Sequence, residues 1–246
     1  MRANFIKMIS PIRFRESSVK KDPTDGRNPF DSDYSRIVLS SHFRRLQDKA
    51  QVFPLERSDF IRTRLTHSLE VACFARGLGL GVEKHLLKKK IITETEIGYI
   101  PTILEVAGLI HDIGNPPFGH FGEEIIKSYF QKIKSFSDDN LIKNAFDSLT
   151  DEQQADFLNF DGNVQGFRIL RKLGLAHDNF SYNLTMPILA TIIKYPYSSL
   201  EGNKKMSDGG KYSQKKYGYF TSEKEDYNRA IEIINEGILE NKDEGF

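Results

Sequence analysis

The chain has 246 residues, enough to bury a hydrophobic core, and its 39% hydrophobic and 28% charged residues are ordinary for a globular protein. A formal net charge of +1 favours neither a nucleic-acid-binding nor a membrane-binding protein. The single cysteine, Cys73, excludes an internal disulfide framework, and no apolar run has the length of a membrane span, so we expect a cytoplasmic protein.

Residues 1–30 form a basic segment, in which seven lysines and arginines outnumber three acidic residues. We interpret this segment as an N-terminal arm that precedes a core at 31–246. A basic arm can contact phosphates, but a solvated tail is the simpler interpretation. The basic residues are Arg2, Lys7, Arg13, Arg15, Lys20, Lys21 and Arg27.

Apolar residues along the core recur with the period of an α-helix, without strand alternation or internal repeats, so we expect an all-α fold. Cap signals support three of the helices: Asp31-Ser32-Asp33, then Thr102 with Glu105, then Ser222 with Glu225. The predicted helices lie at about 34–46, 66–87, 102–113, 119–134, 141–149, 163–173, 185–194 and 222–238.

Two stretches within this pattern carry further predictions. Leu69, Ala72, Cys73 and Leu80 share one apolar side of the second predicted helix, so a packed thiol is the default for the cysteine. Residues 198–216 hold five lysines, three glycines and no apolar period, which predicts a long mobile loop.

The most informative stretch, AGLIHDIGNPPFGHFGEE at 107–124, places titratable residues at the break between two helices. The apolar stripe of the third helix continues by one position to His111. For a lone histidine on such a face, a core residue hydrogen-bonded to a backbone carbonyl is the simpler interpretation. Asp112, however, lies at the helix C-terminus, where the helix dipole disfavours a carboxylate unless a cation is near.

Adjacent histidine and aspartate side chains can bind one metal ion from a single turn, since they reach it by different path lengths. A third ligand must come from another segment, and RTRLTHSLEVA offers His67 at the start of the second helix. His120 and Glu123 follow the double proline at a spacing that makes them helix neighbours. Such a pair is typical of a general acid or base, although a solvent-facing histidine and a glutamate at the helix N-terminus explain it equally well.

These residues resemble a known family. RLTHSLEVA, followed 44 residues later by HDIGNPPFGHFGEE, is similar to the HD-domain deoxynucleoside triphosphate triphosphohydrolases of the bacterial dGTPase type. The resemblance covers nearly the whole chain, because four further segments read like that family in the expected order. These segments are SDYSRIVLSSHFRRLQDKAQVFPL, GNVQGFRILRKLGL, LTMPILATIIKYPY and KYGYFTSEKEDY.

The resemblance implies a mainly helical fold around one divalent cation, Mn²⁺ or Mg²⁺. It also implies hydrolysis of dGTP or another dNTP to deoxynucleoside and triphosphate, by water attack at the α-phosphorus. By motif, His67, His111 and Asp112 match three metal ligands. His120, helped by Glu123, matches the residue that handles the proton at the scissile bond.

Further substrate contacts are implied in the same way. Arg64 matches a phosphate-contacting arginine, and Gln51 matches the glutamine that reads the sugar 3′-hydroxyl. Lys194 and Tyr195 match a phosphate-side pair. Members of the family are commonly homo-oligomers, often hexamers, and some respond to nucleotides or single-stranded DNA.

The chain departs from the family near its end. The resemblance implies a fourth metal ligand, an aspartate in a stretch resembling EAADD that follows the KYGYF segment. No such stretch is found, so we expect a core that is truncated at its C-terminal end. Asp226 precedes the expected position of that ligand, which makes it a weak substitute.

A different class of function therefore stays open. A non-catalytic HD fragment would bind nucleotide or single-stranded nucleic acid through Arg44, Arg45 and the basic arm, without turnover. A third class, an HD phosphohydrolase acting on nucleotide monophosphates or cyclic diesters, is disfavoured because GNPPFGHFGE belongs to the triphosphohydrolase pattern.

Overall fold

The computed structural model describes residues 2–15, 24–52, 58, 60–137, 140–174, 180–203 and 209–239. Within these ranges the chain forms helices, turns and two isolated β-bridges but no strand, which confirms the all-α class. None of the described helices is both long and apolar enough to cross a membrane. The helices are α1 (Arg2–Met8), α2 (Pro29–Val38), α3 (Ser41–Arg44), α4 (Arg64–Lys88), α5 (Tyr99–Ile110), α6 (His120–Lys134), α7 (Leu141–Asp147), α8 (Asp151–Leu158), α9 (Gly162–Arg168), α10 (Met186–Ile192) and α11 (Lys224–Leu239).

The α4–α5 pair is the centre of the fold and makes the most extensive helix contact. Two glycines let the backbones approach closely. A Cβ atom on Gly79 would lie 2.7 Å from Cα of Pro101, and one on Gly108 would lie 2.5 Å from Cα of Ala72. Both distances are too short for a real Cβ atom, so only glycine fits at these crossings. The close crossing brings the start of α4 next to the end of α5.

This crossing corrects the predicted apolar side of α4. Leu69, Leu80 and Cys73 are exposed, whereas Ala72 and Gly79 are buried against α5. The prediction was wrong because it looked for large apolar residues. Where this helix crosses α5, its buried residues Ala72 and Gly79 are small, which permits the close approach. The cysteine is therefore an exposed thiol rather than a packed one.

Part of the basic N-terminal segment packs into the core. Ile9 and Phe14 are buried, and Arg13 donates to the fully buried Asp33 at 2.5 Å. The same carboxylate accepts the backbone N–H of Thr185 at 2.9 Å and its hydroxyl at 2.7 Å, which ties α2 to the start of α10. Residues 9–14 are thus not a solvated tail. Residues 16–23 of the predicted arm lie outside the described part.

Several helix boundaries differ from the predicted ones for local reasons. Asn28, not the Asp31 group, caps α2, and its side chain accepts from two backbone N–H groups. Ser40 then caps the separate helix α3, which divides the single helix predicted at 34–46. Gly98, in a left-handed conformation, precedes the first residue of α5. The helix therefore begins at Tyr99, three residues before its predicted start at 102. α1 and α8 were not predicted, since both are short and weakly periodic.

The stretch at 198–216 combines surface turns with buried residues. Ser198 and Ser199 are buried, and a short 3₁₀-helix spans Tyr212–Gln214. Residues 204–208 lie outside the described part. The mobile loop predicted for 198–216 stays a prediction.

Candidate active site

Three potential metal ligands meet where α4 starts and α5 ends. One ligand atom each of His67, His111 and Asp112 lies within 4.8 Å of the others, and the two imidazole rings are 5.3 Å apart between centroids. Ligands on opposite sides of one ion, each at about 2.1 Å, are separated by about 4.2 Å. Small side-chain adjustments would therefore let all three side chains bind a single divalent cation.

His111 is oriented by the backbone of its own helix. Its Nδ1 lies 2.7 Å from the carbonyl oxygen of Gly108, which accepts the Nδ1–H of the neutral ring. The other ring nitrogen, Nε2, lies 3.6 Å from Asp112 Oδ1, and in a neutral ring with its proton on Nδ1 it offers a lone pair to a ligand. The hydrogen bond of Nδ1 to a backbone carbonyl is the one expected for a core histidine. Nε2, on the side of Asp112, is the nitrogen that could bind a metal ion.

Asp112 is held by two partners from different segments. Arg64 Nη1 donates to Oδ2 at 2.6 Å, and the Asn115 amide donates to Oδ1 at 2.7 Å. The guanidinium supplies a positive charge at the C-terminus of α5, where the helix dipole disfavours a carboxylate. Arg64 is almost fully buried, and its Nε has no hydrogen-bond partner among the described residues.

The chain leaves α5 through a turn that packs against Arg64. The helix ends at Ile110, three residues before the predicted end at 113, and turns at 111–114 lead to Pro116-Pro117 before α6 begins at His120. Gly119 has φ +55°, and a Cβ atom there would lie 2.3 Å from Arg64 Nη2. Only glycine at this position leaves room for the arginine beside Asp112.

His120 and Glu123 form a hydrogen-bonded pair on the first turn of α6. His120 Nδ1 lies 2.9 Å from Glu123 Oε2, and the histidine side chain is 89% exposed while the glutamate is only 5% exposed. The second carboxylate oxygen accepts the backbone N–H of Gly162 at 2.9 Å. A buried carboxylate thus holds Nδ1 of an accessible imidazole, and the other ring nitrogen, Nε2, can exchange a proton with a ligand.

Lys49 approaches the same turn from the segment before α4, and Gln51 lies two residues after it in the sequence. Lys49 Nζ donates to the Asn115 carbonyl at 2.6 Å, and burial, together with Arg64 and Arg45, lowers the pKa of this lysine. The amide oxygen of Gln51 is buried and has no hydrogen-bond partner among the described residues. An unsatisfied buried oxygen of this kind is suited to accept a hydrogen bond from a hydroxyl group of a ligand.

The predicted phosphate-side pair, Lys194 and Tyr195, follows α10. Lys194 Nζ donates to Asn163 Oδ1 at 2.9 Å, next to the Gly162 amide that contacts Glu123. Lys194 is exposed and Tyr195 is partly buried. Lys194 therefore contacts the first turn of α9 rather than the three potential metal ligands.

A second lysine close to this point was not predicted. Lys216 Nζ donates to Asp161 Oδ2 at 2.6 Å. Burial acts to lower the pKa of Lys216, but the Asp161 carboxylate and the charge of Glu123 outweigh it and raise the pKa. Burial acts to raise the pKa of Asp161, but hydrogen bonds from Lys216 and Asn163 lower it. The only sequence signal was the position of this lysine in the family-like KYGYF segment.

Asp226, the weak substitute for a fourth ligand, lies elsewhere in the fold. Its carboxylate pairs with Arg171 at 2.6 Å and with Lys172 at 3.4 Å. These contacts tie α11 to the π-helical turn Ile169–Leu173 that continues α9. Asp226 is therefore not a member of the cluster formed by His67, His111 and Asp112.

Comparison with known protein families identifies one domain in this chain. The HD domain model matches residues 64–195, a segment that contains the three potential metal ligands, the His120–Glu123 pair and the Lys194–Tyr195 pair. Arg64 is its first residue, and Gln51 lies before it.

The chain is also similar to longer proteins. A deoxyguanosinetriphosphate triphosphohydrolase-like protein of Listeria innocua is 44% identical over 232 residues, covering 90% of this chain and 47% of the relative. A protein of the same name from Synechocystis is 44% identical, covering 85% and 46%. A deoxyguanosinetriphosphate triphosphohydrolase of Klebsiella pneumoniae is 36% identical, covering 87% and 45%. The chain thus spans about half the length of the curated relatives it matches.

Proposed function

The chain belongs to the HD domain family, and from this premise we propose that it is a metal-dependent triphosphohydrolase acting on dGTP or another dNTP. The products would be a deoxynucleoside and intact triphosphate. The observation that carries the proposal is the meeting of His67, His111 and Asp112 within 4.8 Å beside a histidine–glutamate pair. The names of the relatives support the substrate class.

The donor set suits a hard or borderline divalent cation. Two imidazoles and one carboxylate fit Mn²⁺ or Mg²⁺, with water completing the coordination shell. A cation held by His67, His111 and Asp112 would supply Lewis-acid polarisation of the α-phosphate. The hydrogen bond from His111 to the Gly108 carbonyl supports this role because it places the proton of a neutral imidazole on Nδ1 and directs Nε2 to the ligand side.

Basic side chains near the three potential metal ligands would bind the phosphates. A triphosphate carries about four negative charges, so several cations must offset them as charge moves to the leaving group. Arg64 already faces the Asp112 carboxylate, and Lys194 lies at the N-terminus of α9 with Tyr195 beside it. Gln51 would use its unpaired buried amide oxygen to accept a hydrogen bond from the 3′-hydroxyl of the sugar.

The His120–Glu123 pair would transfer the proton at the scissile bond. Glu123 fixes His120 through Nδ1 and leaves the exposed side of the ring for the substrate. A charged carboxylate partner also stabilises the protonated imidazole during the transfer. Groups in this role typically contribute about 10²–10⁴-fold to the rate.

The activity is tested directly by product analysis. We expect wild-type protein to release triphosphate, not orthophosphate or pyrophosphate, from dGTP when Mn²⁺ is present. EDTA should stop the release, and excess Mn²⁺ should restore it. Ion-exchange chromatography of the products distinguishes the three phosphate species. Release of pyrophosphate, or release that EDTA does not affect, would contradict the proposal.

A second candidate, binding of phosphorylated ligands without turnover, is favoured by a separate basic cavity. This cavity, of about 510 Å³, is lined by Arg15, Arg36 and Arg44 together with hydroxyl and amide groups, and no described residue that lines it is acidic. Burial and the neighbouring Arg13 lower the pKa of Arg36, as expected where positive charges crowd together. Such a cavity would bind nucleotide phosphates or single-stranded DNA.

EDTA distinguishes the two candidates. If binding without turnover is the function, calorimetry should detect dGTP binding that EDTA leaves unchanged and that Arg44→Ala weakens about tenfold. Lys172→Ala, a basic residue outside this cavity, should not change that affinity. Complete loss of dGTP binding with EDTA would refute the second candidate. Homo-oligomer formation and a cytoplasmic location stay predictions.

A further inference from the structure

Asn115 lies between the two halves of the candidate site. Its side-chain amide donates to Asp112 Oδ1 at 2.7 Å, and its backbone carbonyl accepts a hydrogen bond from Lys49 Nζ at 2.6 Å. A Cβ atom on Gly162 would lie 2.3 Å from the Asn115 side-chain oxygen and 3.1 Å from its Cα. The asparagine that orients one potential metal ligand is therefore packed directly against the first residue of α9.

Gly162 also contacts the proton-transfer pair. Its backbone N–H donates to Glu123 Oε1 at 2.9 Å, while Oε2 of the same carboxylate lies 2.9 Å from His120 Nδ1. A Cβ atom on Gly162 would lie 2.8 Å from Glu123 Oε1. One glycine thus touches the group that fixes Asp112 and the group that fixes His120.

Backbone segments approach each other directly at this junction. A Cβ atom on Gly114 would lie 2.1 Å from both the carbonyl oxygen of Gly162 and the backbone nitrogen of Gly166. The start of α9 is therefore seated on the turn that follows Asp112, without intervening side chains. Because there is no free space at the junction, a displacement on one side must move the other.

We propose that Asn115 and Gly162 are positioning residues, which together form a bridge that sets the metal-binding half and the proton-transfer half of the site from one contact. This inference rests on the proposed function of the site. The bridge acts through Asp112 and Glu123 and touches no substrate atom. Partners of this kind typically change metal affinity or activity by about 10- to 100-fold when they are removed.

The test is a Mn²⁺ titration of Gly162→Ala by electron paramagnetic resonance, without nucleotide. Gly162 contacts none of the three potential ligands directly, yet we expect the dissociation constant for Mn²⁺ to rise about tenfold because the new methyl group displaces Asn115. Asn115→Ala should have a similar effect. In the Asn115→Ala background, adding Gly162→Ala should change Mn²⁺ affinity by less than about twofold, since the bridge is already broken.

The rate at saturating Mn²⁺ should behave differently. Gly162→Ala should lower kcat further in the Asn115→Ala background, because it also displaces Glu123. Gly77→Ala is the control, since it adds the same methyl group on α4 at an exposed position where no other atom lies within 4 Å of it. It should leave Mn²⁺ affinity unchanged, and circular dichroism checks that each variant folds.

Unchanged Mn²⁺ affinity in folded Gly162→Ala, or fully additive losses of affinity in the double variant, would overturn the bridge. If Gly162→Ala does not fold, the Asn115→Ala variant decides: a Mn²⁺ affinity equal to that of the wild type would by itself overturn the bridge. Wild-type protein that binds no Mn²⁺ also counts against it. Wild-type protein that binds Mn²⁺ but releases no triphosphate refutes the proposed function and leaves the bridge intact.

Discussion

Replacing His111 by alanine is expected to abolish Mn²⁺-dependent triphosphate release and to weaken Mn²⁺ binding by at least about 100-fold. The loss should be this large because His111 Nε2 is the nitrogen that the Gly108 hydrogen bond leaves available. Without it, His67 and Asp112 are the two remaining members of the cluster. The measurements are a Mn²⁺ titration and a triphosphate assay on the same preparation.

His85→Ala is the matched control for this variant. His85 lies in the last turn of α4 and is exposed, so its removal should leave Mn²⁺ affinity and rate within about twofold of the wild type. A His111→Ala protein that keeps a tenth or more of the wild-type rate would show that His111 is not required, and the metal-site assignment would fail.

Replacing His120 by alanine is expected to lower kcat about 10²–10⁴-fold and to leave Mn²⁺ affinity unchanged. The two effects should separate because His120 contacts Glu123 and none of the three potential ligands. Steady-state kinetics at saturating Mn²⁺ measure the first effect, and a Mn²⁺ titration measures the second. A similar loss in both quantities would instead indicate that His120 supports the metal site.

The neighbouring glutamates provide a matched pair for the same claim. Glu123→Gln removes the charge that orients His120, so we expect an intermediate loss of rate, between about 10- and 100-fold. Glu124→Gln changes an exposed glutamate that pairs with Lys127 on the same helix and should have no effect on the rate. Equal rates in the two variants would contradict the role assigned to Glu123.

Helix positions were predictable where local signals were strong. The double proline and Gly114 predicted the break after α5 to within three residues, since the helix ends at Ile110. The long amphipathic pattern after them predicted α6 to its last residue, Lys134. These features depend on residues close in sequence, which fix the backbone locally. The break at Ser40 was missed because an apolar stripe runs across it and hides the cap.

The buried face of α4 was not predictable in the same way. A hydrophobic pattern points to Leu69 and Leu80, but the structure buries Gly79 at the crossing with Pro101 instead. Which face is buried depends on how closely another helix can approach, and that helix is distant in the sequence. Small residues at such a crossing carry little signal in a hydrophobicity pattern.

The same distinction holds within the candidate site. His67, His111 and Asp112 were nominated by residue type and spacing, and the fold brings all three together. Their role as ligands stays a prediction. The Asn115–Gly162 contact was missed because it joins a turn to a helix start 47 positions away, and glycine has no side chain to mark it.

The most direct measurement is anomalous X-ray diffraction at the manganese edge from crystals of the protein grown with Mn²⁺. We predict one strong peak about 2.0–2.3 Å from His67, His111 and Asp112. Peaks only at other positions, or no peak between these three side chains at a Mn²⁺ concentration that supports triphosphate release, would contradict a shared metal site.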